Sequence, residues 1–241
     1  MAYGQEEWKE YKREHFVIYY QNAPLDFVKT IEDSAESYYR EIAKNMGFTR
    51  YKGWTFDERA SIYVYDSPEH FVESAKGAQW AAGHANPYNK TIRTFPSAAG
   101  FFDSTLPHEL GHIVFREFVG VKPRVPLWFE EGVASYQEKA KRYGSNKLVL
   151  KAMENGAFIP LHEMNSARLS NNSTQETVTI FYAEAASAVY FLITEFGDYR
   201  FTRFCNKLKE GEEFEQALKN VYVRFKSVKD LNDAWVKYLK K

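Results

Sequence analysis

The sequence predicts an α+β protein: a small mixed N-terminal sheet packed on helices, followed by a mainly helical C-terminal part. Three observations predict it. Short β-branched and aromatic segments are confined to the first hundred residues, where they alternate with stretches of helical spacing. Beyond Glu131 helical spacing takes over, apart from one irregular stretch. Apolar residues make up 44% and aromatics 17% of the 241 residues, enough to bury a full core. We expect a single domain over 1–241, with an α/β lobe over about 1–120 and a helical lobe over about 121–241.

Each element has its own signal. Residues 16–20 are β-branched and aromatic, a strand. Residues 24–46 follow helical spacing through Phe27, Ile31, Ala35, Tyr38, Ile42 and Met46, and Gly47 ends the run. A strand is expected at 61–65, and Ser67-Pro68 opens a short helix to about Ala75. Residues 80–85 and 91–95 read as two strands joined by Asn86-Pro87-Tyr88-Asn89. Asp103, Ser104 and Pro107 supply N-cap and first-turn chemistry for a helix that continues through Ile113, Val114 and Phe118 and stops at Gly120.

A further helix is expected from Pro126 through Tyr136, then an irregular stretch over about 155–177. Residues 178–196 form the most apolar segment. With Glu184 and Glu195 inside it, it reads as a core helix, and no transmembrane segment is expected. Residues 199–241 predict two or three amphipathic helices with a solvated charged face.

Composition excludes some functions. Thirty-two basic and 32 acidic residues cancel, so no global field favours nucleic acid or an anionic membrane. Cys205, the single cysteine, excludes an internal disulfide, and its spacing with Phe201 and Phe204 predicts a buried, inert thiol. The first residues carry neither a basic n-region nor an apolar h-region, so the compartment stays open. So does the oligomeric state. Asn171-Asn172-Ser173-Thr174 holds overlapping glycosylation sequons but reads as loop composition.

The chemistry lies in His108-Glu109-Leu110-Gly111-His112, followed after 18 residues by Glu131. On a helix the i, i+4 histidines share one face, one turn apart. Two imidazoles so placed can bind one Zn²⁺, with Glu109 beside it as a base. Glu131, on the next helix, adds an oxygen ligand and leaves a fourth position for water, as in catalytic zinc sites. Glu130 is rotated about 100° away and should face elsewhere. A His₂Glu set favours Zn²⁺, one per chain. Such an ion lowers the pKa of its water toward about 7, and Glu109 would take the proton and pass it to a leaving amine.

The pattern resembles the gluzincin metallopeptidases, and Pro126-Leu127-Trp128-Phe129-Glu130-Glu131-Gly132-Val133-Ala134 is similar to the bacterial peptidase MA-like group. The resemblance covers about residues 60–200. It implies a zincin-like fold, a peptide or protein substrate, and Glu131 as third ligand. The segment from Phe181 to Leu192 is similar to the helix that carries the family's transition-state tyrosine, which falls on Tyr182. The edge-strand role that pairs with extended substrate in zincins falls on 90–95. Relatives of this type are often extracytoplasmic, in which case a signal peptide would be missing here. Ala152-Met153-Glu154-Asn155 mimics part of the aminopeptidase amine-capture motif but follows the zinc motif in the chain, so aminopeptidase specificity is not carried over.

Glu138, seven residues after Glu131 and so two turns along the same face, is the candidate to hold the outer nitrogen of a ligand imidazole; a surface glutamate near Lys139 and Lys141 is the plainer reading. Ser135 stands where some gluzincins have Asp. His15, His70, His84 and His162 read as structural or surface residues, with His84, on a strand just before the motif helix in the chain, the one that could line the cleft. The alternative to a zinc peptidase is a catalytically silent, zinc-stabilised binding or scaffold protein of the same fold.

Overall fold

The computed structural model describes residues 7–50, 58–75, 83–86, 89–96, 98–164 and 173–241. Five strands form one mixed sheet: β1 (Lys9–Lys12), β2 (Phe16–Tyr20), β3 (Ala60–Val64), β4 (Gly83–Asn86) and β5 (Thr91–Thr94). Their order is β1-β2-β3-β5-β4. The three inner strands run parallel, and β1 and β4 are antiparallel edges.

Register aligns Ile18, Ile62 and Ile92, all fully buried. The next row, Tyr19, Tyr63 and Arg93, lies on the opposite face because strand side chains alternate. There Tyr19 and Tyr63 stack at 4.7 Å and the Arg93 guanidinium lies 5.8 Å from the Tyr63 ring.

Two sheet expectations need correction. β1 was not expected, since Lys-Glu-Tyr-Lys carries none of the β-branched signal; charge suits an exposed edge, where it discourages pairing with other chains. The edge-strand role assigned to 90–95 also fails. β5 spends its main-chain groups on β3 and β4, so the edge beside the helices is β4. Lys90, at φ 51°, turns the hairpin and its ammonium pairs with Glu117 of the motif helix. Residues 80–82, 87 and 88 of the expected hairpin lie outside the described residues.

α1 (Leu25–Asn45) covers the sheet, burying Val28, Ile31, Ala35, Tyr39 and Ile42. Expected stripe positions Phe27 and Tyr38 are only half-buried, one column off the centre of the buried face. Tyr38 instead donates its hydroxyl to the Phe102 carbonyl at 2.9 Å, tying α1 to the turn before the motif helix. α2 (Pro68–Ala75) follows β3 as expected.

From residue 106 the chain is helical: α3 (Leu106–Val119), α4 (Leu127–Ser135), α5 (Lys139–Glu154), α6 (Leu161–Met164), α7 (Gln175–Phe196), α8 (Asp198–Lys209), α9 (Phe214–Val221) and α10 (Val228–Leu239). α6 interrupts the expected irregular stretch, of which residues 165–172 lie outside the described set.

α7 starts earlier than expected because Thr174 caps it, its hydroxyl accepting the Thr177 N–H at 3.1 Å. By length and composition alone α7 could cross a membrane, yet 61% of its apolar window is buried inside the structure and it carries the buried Glu184. The tail forms three helices. Phe129 of α4 sits among Phe115, Phe201, Phe204 and Phe214, ring centroids 5.1 to 6.0 Å away, so α8 and α9 complete the core beneath α4. Cys205 is buried there as expected.

Candidate metal centre

One wide turn, Phe101–Thr105, leads into α3; the Thr105 N–H reaches back five residues to the Gly100 carbonyl at 3.2 Å. The expected caps are absent: neither Asp103 nor Ser104 caps α3, because the chain is already helical there. Pro107 stands in the first turn, where a missing N–H costs nothing. Gly120 ends the helix at φ 86°.

Close packing then brings the pieces together. A Cβ on Gly111 would lie 2.8 Å from the Ala134 Cα, so only glycine lets α3 approach α4 this closely. α4 runs on to Ser135, with Pro126 at its N-terminus as expected. Glu130 faces away from the motif, its carboxylate clasped by the buried Arg116 guanidinium at 2.5 and 2.7 Å.

His108 and His112 present Nε2 atoms 3.2 Å apart. Oε2 of Glu131 lies 3.4 Å from the first and 3.5 Å from the second. A tetrahedral ion with bonds of about 2.0–2.1 Å requires ligand atoms about 3.3 Å apart, and this triangle matches. The same Oε2 is buried and has no hydrogen-bond partner. A buried anionic oxygen facing two ring nitrogens is costly unless a cation sits among them.

Burial alone would lower the pKa of His108, but the facing Glu131 carboxylate, the hydrogen bond to Glu138 and the charge of Glu109 raise it to about 9. Burial pushes Glu131 up, and the two imidazoles outweigh it and hold the carboxyl far below its usual range. The cluster thus craves positive charge.

Glu138 lies behind His108, its Oε1 2.8 Å from Nδ1. With Nδ1–H as donor, Nε2 keeps its lone pair for the metal side. The route to this contact differs from the sequence argument. Glu138 is not two turns along the helix of Glu131: α4 stops, the chain turns through Tyr136 and Gln137, and Glu138 precedes α5 in extended conformation. Glu138 also accepts from Ser104 Oγ, the real task of that residue, and from Lys141 Nζ at 2.7 Å. Burial raises the pKa of Glu138, and His108 and Lys141 outweigh it and hold it below the usual carboxyl range. Ser135 is buried with an unpartnered hydroxyl and takes no part.

Tyr182 arrives on α7, its ring centroid 6.0 Å from that of His108. Burial first, then the charges of Glu131, Glu109 and Glu138, push its hydroxyl far above the ordinary range, so it stays protonated and able to donate. Glu109 is half-buried beside the pair. The other histidines behave as expected where described: His15 bonds Glu36 at 2.7 Å, His70 accepts from the Asp66 N–H at 3.4 Å, and His162 is exposed near Glu163. The His84 side chain lies outside the described residues. Ala152-Met153-Glu154-Asn155 simply ends α5. Sequence reasoning gave Ser104 a capping role and Lys141 no role in the site, because it could not show that Glu138 turns inward to His108.

A mixed sheet stacked on helices, with a His-Glu-x-x-His helix and a carboxylate from the next helix, defines a metallopeptidase-like fold. The family model of the Peptidase MA superfamily matches residues 45–241. The chain belongs to that superfamily, whose members are typically zinc-linked. A comparison with curated proteins finds no match.

Proposed function

We propose that this protein is a zinc-dependent metallopeptidase of gluzincin type, which hydrolyses peptide bonds with Glu109 as general base. The observation that carries this reading is the triangle of two Nε2 atoms and one carboxylate oxygen, 3.2 to 3.5 Å on its edges. His108, His112 and Glu131 would hold Zn²⁺. When bound, the ion supplies Lewis acidity for a peptide carbonyl and acidifies a water.

The remaining work belongs to this chain's side chains. Glu109 takes the proton of the attacking water and returns it to the leaving amine, so water and peptide become a carboxylic acid and an amine. Tyr182 donates its hydroxyl to the developing oxyanion. Glu138 keeps the His108 ring turned with Nε2 toward the cation. The substrate is a peptide or protein chain.

The decisive experiment is Glu109→Gln, assayed against wild type on a proteome-derived peptide library with and without chelator. The variant should keep one zinc per chain and lose cleavage. Full activity in the variant would remove Glu109 from its role. Zinc binding without any cleavage by wild type would favour the silent scaffold reading.

A further inference from the structure

Lys141 belongs to no motif, yet its ammonium touches two separate parts of the site. Nζ lies 2.7 Å from Glu138 Oε1, the same oxygen that is 2.8 Å from His108 Nδ1. It also lies 5.0 Å from the centroid of the Tyr182 ring, within cation–π range. One side chain from the first turn of α5 therefore bridges the carboxylate behind His108 and the ring on α7.

An i, i+3 pair on a helix surface is ordinarily worth little, because water screens it and two side chains lose freedom. This pair differs. The Glu138 side chain is only 3% exposed and the Lys141 side chain 36%, so the charge being compensated is buried while the ammonium reaches out to water. A buried carboxylate supported only by neutral donors is poorly compensated. Among the described residues, the side chains that hydrogen-bond the Glu138 carboxylate are His108, Ser104 and Lys141, and only Lys141 carries a fixed positive charge.

Resting on the zinc-peptidase reading, we propose that Lys141 is a positioning residue: it pins Glu138 behind His108 and seats the Tyr182 ring beside that imidazole. Without it, Glu138 is drawn toward water through the space the lysine vacates, and His108 loses its fixed orientation. Tyr182 loses the cation on its ring face and with it one of the contacts that set its place. Lys141 is not a substrate anchor, since its charge is already spent on Glu138.

The test compares Lys141→Met, which keeps the stem and removes the charge, with Lys141→Arg, which keeps the charge and suits both a carboxylate and a ring face. Zinc affinity is read by competition with a chromophoric chelator near neutral pH. Cleavage is read as separate kcat and KM, and thermal midpoints of the metal-free proteins report folding. Lys141→Met should weaken zinc binding by about threefold to tenfold, less than the roughly 10- to 100-fold expected for loss of Glu138 itself. It should lower kcat about tenfold with KM within about twofold, while Lys141→Arg recovers most of both losses.

Wild-type zinc affinity in Lys141→Met overturns the proposal, and so does equal damage in the two variants, which would mean shape rather than charge matters. The affinity measurement decides even if wild type cleaves nothing. Failure of wild type to bind zinc would instead remove the zinc-peptidase reading, and this inference with it.

Discussion

Gly132 of α4 stands directly on the backbone of Ala185 of α7: a Cβ at position 132 would lie 2.4 Å from the Ala185 carbonyl oxygen. Gly132 follows Glu131, and Ala185 follows Tyr182 by three residues. This close contact joins the element that carries the carboxylate to the one that carries the tyrosine.

Gly132→Ala must push α4 off α7. It should cost about 1–3 kcal/mol in chemical denaturation and weaken zinc binding as Glu131 shifts. Gly144, by contrast, sits in α5 with open space around its missing Cβ. Gly144→Ala should stabilise by about 0.5–1 kcal/mol through helix propensity. If both variants lose stability alike, close packing at Gly132 is not the cause.

Tyr182→Phe tests the donor beside His108. Removing one oxyanion donor should lower kcat by on the order of 100- to 1000-fold, with zinc content unchanged. A variant that turns over like wild type would assign the ring to packing alone.

Glu184 is fully buried, with Oε1 accepting the Ile159 N–H at 2.9 Å and Oε2 unpartnered. Burial raises its pKa from 4.5 to about 8. Between those values the folded state keeps a proton that the unfolded state releases, so stability is greatest below about pH 4.5 on this account and falls as pH rises toward 8. At about 1.4 kcal/mol per pKa unit the loss is several kcal/mol at most. Glu184→Gln should flatten this slope, as read by urea unfolding between about pH 5 and 8. An unchanged slope would place the pH dependence elsewhere.

Phe129 lies at the centre of the ring cluster that joins α3, α4, α8 and α9. Phe129→Ala should cost about 3–5 kcal/mol, and Phe129→Leu distinctly less. Small, equal losses would mean that the tail is not part of the cooperative core.

Most of the elements were legible in the chain because they are local. The i, i+4 spacing of His108 and His112 fixes their shared face, and the rotation between Glu130 and Glu131 separates an ion pair with Arg116 from the cluster at His108. The helical repeat of α1 was readable, though not which of two adjacent columns would be deepest. Strand β1 escaped because its residues are charged for an edge.

Spacing along the chain reaches no further than one element. That β5 is an inner strand, that Glu138 returns to His108 through a turn, and that Lys141 joins it to Tyr182 all depend on how separate elements pair and pack. A 3.6-residue or two-residue period encodes which side of an element is apolar. It does not encode the direction in which the chain leaves a turn, and that direction, together with close approach at Gly111 and Gly132, decides which side chains meet.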